Sequence, residues 1–174
     1  MNAVSDAQHD LSPPVALAAE VRDFAMSFGA DLVGVAPVSR WAKAPIEHSP
    51  QGIFSDARSV IVCGIHFLDA ATELGAEEDP RDPGPAMTEM NVSHMLSDLA
   101  FRLCKLLQKR GCRAFFVRQS GGWRYRASNG DRGFMSDLSH YYAAACAGLG
   151  EVGWNNLTLS PEFGPRQRWV SVVT

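Results

Sequence analysis

The sequence has little of what marks several common protein classes. Its four cysteines, Cys63, Cys104, Cys112 and Cys146, include no two separated by only two residues, which excludes the usual zinc or iron–sulfur ligand spacing. No apolar run approaches the ~18–20 residues that span a bilayer. Basic residues number 16 against 19 acidic ones, giving a net charge of −3 and a pI near 5.9. That balance lacks the basic excess of a nucleic-acid binder. The N-terminal stretch MNAVSDAQHDLSPP is polar and lacks the charged-then-apolar layout of a secretory signal. A cytoplasmic protein, free of membrane and nucleic acid, is expected.

What is present is a globular composition. Hydrophobic residues make up 46% of 174 and charged residues 20%, enough for one domain with its own core. Residues 1–13 read as a loose tail and 14–174 as the domain. Leu17, Val21, Phe24 and Phe28 recur at helical spacing, and Gly29 supplies a stop. DLVGVAP (31–37) reads as a strand, and 38–57 as a loop rich in proline, serine and histidine. SVIVCGIHF (59–67) is continuously apolar and β-branched, as expected of a strand buried on both faces. Residues 70–88 include EEDPRDPGP and read as a surface excursion. A helix over about 91–110 carries Leu96, Leu99, Leu103 and Leu106 on one face. Asn91 or Ser93 is its expected cap and Gly111 its stop.

RAFFVRQ (113–119) reads as the next strand. A polar, glycine-rich stretch follows, in which Arg118, Arg124, Arg126 and Arg132 form either an anion site or a solvated loop. A third helix is expected over about 136–147, with Ser136 or Asp137 near its start. Strands at 156–160 and 166–174 flank a turn at PEFGPR. The order of elements predicts a mixed α/β (α+β) fold, with helices covering a sheet. Cys63, in an apolar run, and Cys104 and Cys146, on helices, read as small buried hydrophobes. The strand that closes the sequence reads as the end of a fragment, a split subunit or a truncated product, or else as the end of a small complete domain.

The most specific local feature runs from Ala147 to Thr174. Gly148, Gly150 and Gly153 form G-x-G-x-x-G, but after a helix. A dinucleotide fingerprint needs a strand before it and a helix after it, so that reading is rejected. Glycines here permit left-handed backbone angles and close approach of a planar ligand.

This run resembles the late part of the corrinoid-binding domain of cobalamin-dependent iron–sulfur reductases, the epoxyqueuosine reductases and reductive dehalogenases. FAMSFGADLVGVAPVSR (24–40), the loop with Pro45, His48 and Pro50, DARSVIVCGIHF (56–67) and LCKLLQKRGCRAFFV (103–117) fit the same family in order. The resemblance implies a nitroreductase-like fold holding base-off cobalamin. It also implies a following ferredoxin-like domain with two 4Fe-4S clusters, whose ligands are absent from this sequence. Such a chain would bind corrinoid but need an iron–sulfur continuation or partner to turn over a small-molecule substrate. A homodimer is a further expectation.

Gly148, Leu149, Gly150 and Gly153 would lay backbone against the ligand, and Trp154 would stack on it. Asn155, Asn156 and Thr158 offer donors to corrin amides or a phosphate. Arg166 and Arg168, two apart, share a strand face and could hold a phosphate. Each has a plainer alternative: turn glycines, a core tryptophan, solvated arginines. For the proton donor the resemblance implies a carboxylate or a tyrosine. Asp131, Asp137, Tyr125, Tyr141 and Tyr142 lie in the region, and Asp137 and Tyr141 are the candidates. The epoxyqueuosine reductase run D-[ST]-G-P is replaced by G-F-M-S-D, which argues against a tRNA substrate. His140 reads as a satisfied helix residue, since the family leaves the lower cobalt face without a protein histidine. An organohalide or similar electrophile is the expected substrate. A corrinoid-binding or trafficking module without redox chemistry, and a flavin mononucleotide (FMN) reductase, are the alternatives.

Overall fold

The computed structural model describes residues 14–74, 84–117 and 137–174. The chain runs through α1 (Pro14–Ser27), β1 (Leu32–Pro37), two short 3-10 turns, α2 (Pro50–Ile53), β2 (Ser59–His66), α3 (Asp69–Leu74) and α4 (Gly84–Lys109). It continues through β3 (Phe115–Val117), α5 (His140–Cys146), β4 (Glu151–Val152), β5 (Thr158–Leu159) and β6 (Gln167–Val173). The main sheet has the order β1-β2-β6-β3, every neighbour antiparallel, and β4 and β5 form a separate hairpin. The expected mixed α/β fold is what forms.

The sheet has a core on each face. Ile61, Cys63 and Ile65 of β2, with Val170 and Val172 of β6, pack against Val21 and Ala25 of α1 and Leu96, Leu99 and Leu103 of α4. Val60, Val62, Trp169 and Val173 alternate to the other face, against Ala143 and Ala144 of α5 and Trp41. The continuous apolar run of β2 therefore does mark a strand covered on both sides. Cys63 is fully buried and Cys104 nearly so, and burial pushes their thiols up to about 12 and about 11. Cys146 is half-buried, and burial again raises its thiol.

Three helices end alike. Gly29, Gly111 and Gly148 take positive φ (88°, 77° and 76°). In each case the glycine N–H and the next N–H bond back to helix carbonyls: Gly29 to Met26, Ala30 to Ala25, Gly111 to Gln108, Cys112 to Leu107, Gly148 to Ala145 and Leu149 to Ala144. This paired pattern is the Schellman motif, which needs a residue at ease in the left-handed region.

Several boundaries differ from expectation. α4 begins at Gly84, so Asn91 and Ser93 lie inside it, and the Ser93 hydroxyl donates to the Glu89 carbonyl instead of capping. Part of the 70–88 stretch is therefore helical, in α3 and the first turn of α4. Asp137 does not start α5. Ser139 does, its hydroxyl accepting from the Tyr142 N–H. The stretch 38–57 carries short helical turns, β3 begins at Phe115 rather than Arg113, and Phe28 is exposed at the end of its stripe. Arg166 precedes β6 rather than opening it.

Candidate functional site

The glycine-rich segment sits on the α5 face of the sheet, and a glycine in β1 places it there. A Cβ at Gly34 would meet the Ala147 carbonyl oxygen at 2.9 Å and the Leu149 side chain at 3.0 Å. Only a bare strand position lets the end of α5 come so close. α5 is further held by His140 Nδ1, 2.9 Å from the Ser171 hydroxyl, and by Arg40, which donates to the Cys146 carbonyl. His140 is thus engaged with β6, as expected of a satisfied helix residue.

Beyond Gly148 the three glycines have different reasons. Gly148 caps the helix, and a Cβ there would meet nothing within 4 Å. Gly150 is required by close packing: a Cβ would lie 2.2 Å from the Leu159 carbonyl oxygen on the facing strand. Gly153 opens the turn of the β4–β5 hairpin, where its N–H bonds to Leu157 O and its carbonyl accepts from Asn156 N.

Trp154 stands at the tip of this hairpin with its whole side chain in solvent, so the core alternative for it is excluded. Asn155 Oδ1 accepts from the Leu157 N–H, and Asn156 takes the left-handed conformation at φ 60°. Thr158 is buried, and its hydroxyl is spent on the Tyr141 carbonyl at 2.6 Å. The hairpin is stapled to β6 by Gln167. Its buried amide donates to the Thr158 carbonyl at 2.8 Å and the Gly164 carbonyl at 2.7 Å. No sequence pattern had marked Gln167 or Gly34, although a glycine inside a strand signals close approach.

Arg166 and Arg168 do share a face, but not the face of the glycine segment. Arg166 donates to Asp69 at 2.5 Å, and Arg168 pairs with Glu89 of α4. Both are balanced by carboxylates on the α3/α4 side. The site predicted as one set is therefore split by the sheet. Gly148, Leu149, Gly150, Gly153, Trp154, Asn155, Asn156 and Thr158 fall on one side and the two arginines on the other.

Asp137 precedes the cap of α5 and Tyr141 lies in its first turn, both half-buried. Tyr141 packs against the core that holds Trp169, and Tyr142 is exposed. Asp131, Tyr125 and Arg118, Arg124, Arg126 and Arg132 lie outside the described residues.

A corrinoid fits this arrangement in part. The open space at Gly148 and the bare indole of Trp154 suit a large planar ligand edged with amides. Arg166 and Arg168 do not suit the phosphate of its nucleotide tail. Among the described residues no His/Cys/Asp/Glu group of three or more is gathered as a metal site.

No protein-family model matches the chain, and no curated protein does. Solved structures do. The N-terminally tagged catabolic reductive dehalogenase NpRdhA is similar at 23% identity and a TM-score of 0.71, over 97% of this chain and 22% of that one. A reductive dehalogenase structure that suggests a mechanism for B12-dependent dehalogenation matches at 23% identity and 0.69, with the same coverage. Epoxyqueuosine reductase from Bacillus subtilis matches at 15% identity and 0.59, over 91% of this chain and 45% of that one. The chain spans less than half the length of each. Its two-faced antiparallel sheet, with the α5–hairpin unit on one side and α1 and α4 on the other, is the fold of a domain found in B12-dependent reductive dehalogenases and epoxyqueuosine reductases.

Proposed function

We propose that this chain is the corrinoid-binding part of a cobalamin-dependent reductase acting on an organohalide or a similar electrophile. Electrons would come from a 4Fe-4S domain or partner chain, and residues 14–174 form the corrinoid-binding unit. The observation that carries this reading is the structural likeness over 97% of the chain to a reductive dehalogenase. The higher score and identity on the dehalogenase side, with the G-F-M-S-D run in place of D-[ST]-G-P, favour a small electrophile over tRNA.

Bound cobalamin would supply a strongly reducing cobalt centre, held base-off. The chain's own residues would position it. Gly148, where a Cβ would meet nothing within 4 Å, offers a point without a side chain against which a planar macrocycle can rest. Trp154 offers an aromatic face and one N–H donor, and Asn155 and Asn156 offer amides beside it. Asp137, before α5, and Tyr141, in its first turn, are the candidates for delivering a proton to the substrate.

The test is titration of the purified chain with cob(II)alamin and, in parallel, FMN, followed by absorbance after desalting. Retained corrinoid supports the proposal. Retained flavin alone would move the reading to a flavin reductase, and retention of neither would contradict a corrinoid-binding part. Corrinoid retained without any turnover when a reduced ferredoxin and a haloarene are supplied would favour a trafficking module.

A further inference from the structure

A second site lies on the opposite face of the sheet. α1, the end of α4, and the ends of β1 and β2 line a half-open cavity of about 590 Å³. That volume is within the ~300–1,000 Å³ usual for small-molecule sites. Its walls are apolar, with Leu17 and Val21 from α1, Val35 and Ile61 from the sheet, Leu107 from α4, and Phe54. Val21, Ile61 and Leu107 belong to the α1/α4 core, so the whole sheet separates this cavity from Gly148 and Trp154.

Its polar side chains are Asp56, Arg58, Ser59, Arg113 and Thr174. Arg113 is already satisfied. Its Nη1 lies 2.7 and 2.8 Å from the two Asp56 oxygens, and its guanidinium lies 5.0 Å above the Phe54 ring. The backbone N–H groups of Arg58 and Ser59 are likewise taken, both by the Thr174 carbonyl at 2.8 Å. The Arg58 side chain is exposed and has no acidic partner among the described residues. The Arg58 guanidinium thus stands at the edge of the apolar cavity outside any ion pair among the described residues, with the Thr174 carboxylate as its nearest competing anion at the rim. A guanidinium in that position can pair with the acid group of a ligand whose apolar body fills the cavity.

We propose that this cavity binds an apolar monoanion, an aryl or alkyl carboxylate or sulfonate, with its body between α1 and the sheet and its charged group on Arg58. The site is distinct from the corrinoid-binding face and does not depend on it.

A matched pair of fluorescent probes tests the assignment on the full chain. 8-Anilino-1-naphthalenesulfonate carries the anion, and N-phenyl-1-naphthylamine has the same rings without it. Both are expected to bind one per chain. Arg58→Gln should weaken the sulfonate roughly tenfold, as loss of a charge-assisted contact implies, and leave the neutral probe unchanged. Cys112 also lines the cavity, so bound sulfonate should slow its alkylation, read by mass spectrometry, without slowing that of Cys146. Cob(II)alamin should leave the probe in place. Binding of many probes per chain, an equal effect of Arg58→Gln on both probes, no effect on either, unprotected Cys112, or displacement by cobalamin would each overturn the assignment.

Discussion

Gly64 and Trp169 face each other across β2 and β6, and the indole occupies the space a side chain at Gly64 would need. A Cβ there would lie 2.6 Å from the Trp169 ring. Trp169 is 1% exposed and packed among Val60, Val62 and Ala144, so it has nowhere to go. Gly64→Ala is expected to destabilise the chain by about 1–3 kcal/mol, the usual cost of overpacking a close-packed core. Urea denaturation reads this directly. An unchanged midpoint would show that the indole can shift.

Gly148 and Gly150 should respond differently. Alanine at Gly148 meets open space but must hold a positive φ, at a cost of about 1 kcal/mol, and asparagine should restore part of it. Alanine at Gly150 is driven into the Leu159 carbonyl, which cannot retreat without breaking the β4–β5 pairing. Thermal melts should therefore rank Gly150→Ala below Gly148→Ala. The reverse order would contradict the separate roles assigned to the two glycines.

Gln167 replaced by leucine keeps the volume and removes two donors. The Thr158 and Gly164 carbonyls both lose a partner. A loss of about 1–2 kcal/mol is expected, chiefly from the Thr158 carbonyl, since the Gly164 carbonyl keeps the Ser160 N–H. The loss should appear as faster hydrogen exchange in the hairpin before the rest of the chain is affected.

The buried thiols impose a pH limit. An unfolded cysteine ionises near 9, whereas in the folded chain Cys63 stays protonated to about 12 and Cys104 to about 11. The folded state therefore binds more protons than the unfolded state between these values, and stability falls as pH rises through that window. Below pH 9 their contribution is complete. Cys63→Ala should flatten the decline between pH 9 and 10.5, and native Cys63 should resist alkylation at pH 8. A decline as steep in the variant would assign it to other groups.

The fold was largely legible because its strongest signals are local. β2 shows an unbroken apolar run, α1 and α4 show leucine and valine at helical spacing, and glycines stand where three helices stop. What was hidden is non-local. The first turns of α4 are masked by a stretch dense in proline and charge. Arg166 and Arg168 were rightly placed on one face by their spacing. Their acids, Asp69 and Glu89, lie about 80 to 100 residues earlier in sequence, so no window could show that both were already paired. The cavity has the same character, since Leu17, Arg58 and Leu107 meet only in three dimensions. Trp154 carries no local mark that separates a solvent-facing indole from a core one.

Trp154 gives the sharpest separation of binding from folding. Being fully exposed, it should contribute less than about 0.5 kcal/mol to stability. If it stacks on the corrin, Trp154→Ala should weaken cob(II)alamin binding roughly tenfold, the worth of about 1.4 kcal/mol. Equal binding in variant and parent would remove Trp154 from the site.

The most direct measurement is the electron paramagnetic resonance spectrum of cob(II)alamin held by the purified chain without oxygen. A bound, base-off spectrum, lacking the splitting from an axial nitrogen, is predicted. A base-on spectrum identical to that of free cobalamin would contradict the claim that this domain holds a corrinoid.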